Sequence, residues 1–186
     1  MHNIDFKRIL ITTGFCLLSG ILTAVILNAF EIYQVTLLIV PGFLFGLAII
    51  LSNSNLFRDK VQQALTTILL CTICWMVLLF LSTLSIYFPF HPLVGYSIVG
   101  FVSAVVTFLI FCIFIKFENV IQTAVAAGAS GIVAFAIFFF ITDKKVGAAG
   151  SLEYLFILWQ TFVGFAISIG IKKTTSANKA HMLNIG

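Results

Sequence analysis

Charge is scarce in this chain. Only 9% of its 186 residues are Asp, Glu, Lys or Arg, against 61% hydrophobic. A soluble domain carries about 25% charged residues. Its outside must meet water, so a fold of this size could not hide so much apolar surface. Long polar stretches are lacking too. No connection between the apolar runs is long enough for a folded soluble domain, which excludes an ATPase, kinase or DNA-binding module within these residues. The net charge of +4 is scattered among basic residues next to the apolar runs, so no nucleic-acid partner is expected. Prolines number three and histidines three, and none of the histidines falls in an apolar run.

What fills the chain is a series of six apolar runs: 9–30, 35–51, 61–88, 93–115, 120–141 and 152–171. They hold 132 of the 186 residues, with no charge in their interiors. About 20 apolar residues carry a helix across the hydrocarbon core. The sequence therefore predicts an all-α polytopic bundle of about six transmembrane helices, with the lipid bilayer as its first partner. The second run is short, and the third is long enough to tilt or emerge at one end. Lys7 and Arg8 precede the first run as they would in a signal peptide, but the run is too long for one and further spans follow. It reads as an uncleaved first span.

Orientation follows from the basic residues. With the N-terminus in the cytoplasm, Lys7, Arg8, Arg58, Lys60, Lys116, Lys172, Lys173 and Lys179 lie inside, and Lys144 and Lys145 outside. Eight against two satisfies the positive-inside rule and suits an even number of spans. The expected location is a plasma membrane, of bacterial inner-membrane type, with both termini cytoplasmic. Helix ends are marked locally. Pro89 stops the third run, and Pro92 suits the first turn of the fourth. Asn119 can cap the fifth with Gln122 as its mate, and Ser151 the sixth.

The two halves resemble each other faintly. Phe30-Glu31 and Phe117-Glu118 close the first and fourth runs, and Gln34 and Gln122 follow. Three spans per half would make an inverted 3+3 repeat, a common build of transporters. Capping and interfacial roles account for the same residues, so both readings stand.

Six positions carry what chemistry the spans hold. Pro41 removes a backbone donor and frees the carbonyl of Leu37. Gly42 and Gly46 form a small-xxx-small pair that admits a close neighbour. Ser130 lies in a fifth run rich in Ala and Gly. Gln160 is a side-chain amide in mid-span, which in hydrocarbon must find a partner and so face the interior. Glu31 is an acid near a span end with no basic neighbour in its loop, which makes it a candidate for a cation or proton role. The second, fifth and sixth spans are accordingly expected to be the inner ones.

Other motifs read as packing. Cys71 and Cys74 form a Cys-x-x-Cys deep in the third run, where neither a stabilised thiolate nor two further metal ligands are evident. No cofactor or metal is expected. His91 lies in a connection, where capping is its ordinary use. Gly128-Ala129-Ser130-Gly131 resembles the Gly-x-Ser-Gly motif of rhomboid proteases, which also have a six-helix core. That resemblance implies Ser130 as nucleophile with a histidine from the family's sixth helix. No run here contains histidine, and a serine without a base is a weak nucleophile, so no enzyme is expected.

Two functional readings remain. One is a transporter or channel for a small solute or ion, similar in size and span count to the six-helix substrate-binding subunits of vitamin uptake systems. It predicts a water-accessible cavity near Pro41, Ser130 and Gln160. The other is a membrane-embedded subunit (an anchor, immunity protein or pore-forming effector) acting as a homo-oligomer or with a partner protein. As an anchor it predicts a lipid-tight bundle with no cavity.

Overall fold

A computed structural model describes residues 5–29, 33–57, 60–84, 92–142 and 152–172. Among them are six α-helices: α1 (Phe6–Ala29), α2 (Tyr33–Ser52), α3 (Lys60–Leu84), α4 (Pro92–Cys112), α5 (Val120–Ile141) and α6 (Leu152–Gly170). A short 3-10 turn, Ser54–Leu56, follows α2. Five of the helices are long and apolar enough to cross a membrane. In α2 the apolar stretch is the shorter Leu37–Ser52, in keeping with the short second run. The chain is a helical membrane bundle.

The helices form a ring in chain order. Each packs against its sequence neighbours, and α6 closes the ring on α1. α6 also leans inward to touch α2 and α4. It buries Leu155, Phe156, Trp159, Gln160, Val163 and Ile167, among others, while α3 turns much of its surface outward. Side chains on α2, α3, α4 and α6 meet on the axis as a run of rings. Phe45 lies 6.1 Å from Phe111 and 5.3 Å from Trp159. Trp75 lies 5.8 Å from Trp159 and 5.4 Å from Phe156. Rings at such separations fill space and attract one another edge to face.

Two seams join the triplets α1–α3 and α4–α6, and they are unequal. Between α1 and α6 the backbones nearly touch: a Cβ at Gly20 would lie 2.7 Å from the Ile157 Cα. The α3–α4 seam is looser and borders a cavity.

One boundary differs from the sequence expectation. The fourth run continues apolar to Ile115, yet α4 ends at Cys112. The amides of Ile113 and Phe114 donate to Ile110 and Phe111, three residues back, which tightens and ends the helix. The leftover apolar residues plug the base: Ile115 is buried, and Phe117 packs edge-on against Phe108 at 4.8 Å. Phe117 then pairs with Ile171 in a single β-bridge. The Lys172 amide donates to the Lys116 carbonyl (3.0 Å), and that of Glu118 to Gly170 (3.0 Å). Arg8 reaches the same point, donating to the Lys172 carbonyl at 3.2 Å and pairing with Asp5 at 3.7 Å. The start of α1 and the end of α6 therefore share one end of the bundle, the tail end, as an even number of crossings requires.

At α5 the expected cap is present: the Asn119 side chain accepts from the Gln122 amide at 3.0 Å. Pro92 opens α4. Ser151, Pro89 and His91 lie outside the described residues.

Candidate functional site

Polar groups inside the ring gather where α1, α2 and α6 meet. Ser19 and Thr23 stand one turn apart on α1, on its buried face with Thr12, Cys16 and Leu27. Gln160 enters from α6 and is 1% exposed. The Ser19 hydroxyl donates to Gln160 Oε1. Gln160 Nε2 donates to the Thr23 hydroxyl (3.4 Å) and to the Pro41 carbonyl (3.3 Å). One amide thus ties three helices, and its oxygen and nitrogen are both engaged.

Proline's missing donor is made good from another helix. The carbonyl of Leu37, which Pro41 cannot serve, accepts the indole N–H of Trp75 at 3.0 Å. Trp75 reaches it because α2 and α3 are close there. A Cβ at Gly42 would come within 2.7 Å of the Cys71 carbonyl and 2.8 Å of the Thr72 Cα. At Gly46 the nearest atoms, the Cys71 Cβ and Ile68 Cα, would be 3.3 Å away. The space left beside Pro41, Gly42, Cys71, Thr107 and Trp159 is about 10 Å³. That is at most one water.

The sequence candidates therefore divide. Pro41, Gly42 and Gln160 come together in one node, and Gly46 lies one turn below on the same contact. Ser130 is half-buried on α5 and does not belong to the node, because α5 packs between α4 and α6. Glu31 lies outside the described residues. All four cysteines are free. Cys16 packs against Gly164, and Cys71 against Gly46. No cluster of three His, Cys, Asp or Glu side chains able to hold a metal occurs among the described residues.

Sequence reasoning passed over Ser19 and Thr23, which bond Gln160, and two further polar residues. Asn53, fully buried at the end of α2, donates to the Thr12 hydroxyl at 3.2 Å and the Ile49 carbonyl at 3.1 Å. Its position just past the second run was the available signal. Glu153, in the first turn of α6, is 7% exposed, and both of its carboxylate oxygens are buried without a hydrogen-bond partner. It is the second residue of the sixth run and the only acid in any run.

A second cavity, of about 70 Å³, lies between α3, α4, α5 and α6. It sits in the half of the bundle away from the tail end, since it is lined by late α3 and α5 and by early α4 and α6. Rings of Trp75, Tyr96, Phe135, Phe138 and Phe156 form much of its wall. Tyr96 and Phe135 are stacked, 6.2 Å apart. Ser103, also in the wall, donates to the Gly100 carbonyl and accepts from Trp159.

No family model, curated protein or solved structure matches this chain.

Proposed function

We propose that this chain is a lipid-tight membrane subunit, which works through the proteins it contacts and not by passing a solute through its own ring. The closure of the Gln160 node carries this reading. Gln160, near which a transporter would have its cavity, spends its oxygen on Ser19 and its nitrogen on Thr23 and Pro41, and the space beside Pro41 and Trp159 is about 10 Å³. Aromatic rings fill the axis next to it. In this reading the chain has no enzymatic activity. It resides in a plasma membrane of bacterial inner-membrane type, with its tail end and both termini cytoplasmic, as the basic residues favour. Its partners are other membrane or cytosolic chains, or further copies of itself.

Reconstitution tests the reading. Liposomes holding the purified chain should keep a proton gradient and exclude small sugars as well as empty liposomes do. In native membranes the chain should run in a complex larger than the purified protein. Flux above the empty control that Gln160→Leu alters would overturn it.

One observation favours the second reading, transport of a small ion or solute. At Pro41 the backbone of α2 is satisfied by side chains of α3 and α6, bonds that a substrate could exchange. The same flux measurement decides between the two.

A further inference from the structure

The cavity of about 70 Å³ is a void in a bundle that elsewhere packs ring against ring. Its wall shows where it opens. Trp75 and Leu79 on α3 and Tyr96 and Val99 on α4 are half-buried, whereas Phe138 on α5 and Leu155 and Phe156 on α6 are buried. The cavity therefore opens sideways between α3 and α4, the looser seam. Of the five long spans, α3 also has the least of its surface buried.

Its shape is narrow. Along α4 the wall runs from Tyr96 to Ser103, about 10 Å of helix, so the space is a slot and not a chamber. Most polar groups of the wall are committed. Ser103 Oγ donates to Gly100 and accepts from Trp159, and Trp75 Nε1 donates to Leu37. Tyr96 is the exception: its ring is stacked on Phe135, and its hydroxyl bonds to none of the described residues. Pro92 opens α4, so Tyr96 stands about 6 Å below the helix start. Tyrosines at that level meet the headgroup region of a bilayer.

A void deprives the atoms that line it of contact on one side, and an apolar one stays dry. What stands outside this opening is hydrocarbon. One free donor at the interfacial end, with rings and aliphatic carbon below it, matches a fatty acyl chain, whose ester carbonyl tops a run of methylenes. We propose that one acyl chain of a bilayer phospholipid lies in this slot along the α3–α4 seam, its ester carbonyl accepting a hydrogen bond from the Tyr96 hydroxyl. The lipid belongs to the leaflet away from the tail end. The site lies off the Gln160 node, so it neither rests on the sealed-subunit reading nor opens a path across the ring.

The full chain in detergent is titrated with a diacyl phosphatidylcholine and with its diether analogue, which lacks the carbonyls, and bound lipid is counted by native mass spectrometry. Saturable binding of one diacyl lipid is expected, about threefold tighter than the diether, the size of one net hydrogen bond. Tyr96→Phe should bind the two lipids alike. Val99→Phe, which fills the slot, should lose the bound lipid; thermal unfolding in lipid-free detergent checks that both variants fold. If Val99→Phe does not fold, the ester–ether difference and its loss in Tyr96→Phe decide alone. No saturable binding, equal affinity for the two lipids, or a preference that survives Tyr96→Phe would overturn the proposal. So would undiminished binding in a folded Val99→Phe, the result expected if lipid is held elsewhere and a partner protein's side chain fills the slot.

Discussion

Gln160 on α6 donates to the backbone carbonyl of Pro41 on α2 across 3.3 Å, joining two helices that otherwise touch only at a few positions. The same amide holds two hydroxyls of α1. Interhelical hydrogen bonds in membranes average about 0.6 kcal/mol and reach about 1.7. Gln160→Leu, which breaks three of them, should lower stability by about 1–2 kcal/mol. Unfolding in a denaturing detergent titration measures this; an unchanged midpoint would mean that the node is not holding the helices.

Trp75 and Pro41 should be coupled. Trp75→Phe leaves the Leu37 carbonyl bare, and an unpartnered buried group costs about 1–3 kcal/mol. Pro41→Ala restores an N–H four residues on, so that carbonyl regains a donor from its own helix. The double variant should therefore lose less than Trp75→Phe alone. A double-mutant cycle reads the difference, and additive losses would argue against the bond.

Much of this was legible beforehand, and the physical reason is the bilayer. Every span must be a helix and every buried amide must find a partner, so run lengths give the helices and Gln160 must face inward. Pro41 predicted an orphaned carbonyl at Leu37. Its partner, Trp75, was not legible, because partners across a ring depend on rotation and register that hydropathy does not encode. α1 shows why: it is apolar nearly all round, and only Thr12, Ser19 and Thr23 on its buried face hint at the direction of the interior. Glu153 was lost for a different reason: the apolar reading of the sixth run passed over the acid at its second position, and its burial becomes visible only once neighbouring helices are in place.

Gly42 and Gly46 should respond differently to the same change. A methyl at Gly42 meets backbone of α3 at 2.7–2.8 Å, and backbone cannot rotate away. Gly42→Ala should cost about 1–3 kcal/mol, the usual range for overpacking. Gly46→Ala has 3.3 Å and should cost under about 1 kcal/mol, within the tolerance of a small adjustment. Thermal unfolding in detergent ranks the pair, and the reverse order would contradict the α2–α3 contact.

Sidedness can be read with single cysteines in a cysteine-free background. Lys116→Cys and Lys172→Cys, at the tail end, should react with a membrane-impermeant maleimide only after permeabilisation. Lys144→Cys should react in intact cells. Labelling of all three without permeabilisation would refute the cytoplasmic assignment of the tail end.

The closure of α6 on α1 has a consequence for how the protein is made. Ser19 and Gln160 are 141 residues apart in the chain. At about 5–20 residues per second, α1 is in existence for roughly 7–28 s before its partner is synthesised. Throughout that interval Ser19 and Thr23 lack Gln160, while the contacts between successive helices can form as each one emerges. Ring closure thus follows the contacts among α1 to α5. A chain interrupted before α6 would present an unpaired polar stripe on α1 to whatever surveys the membrane for unfinished proteins.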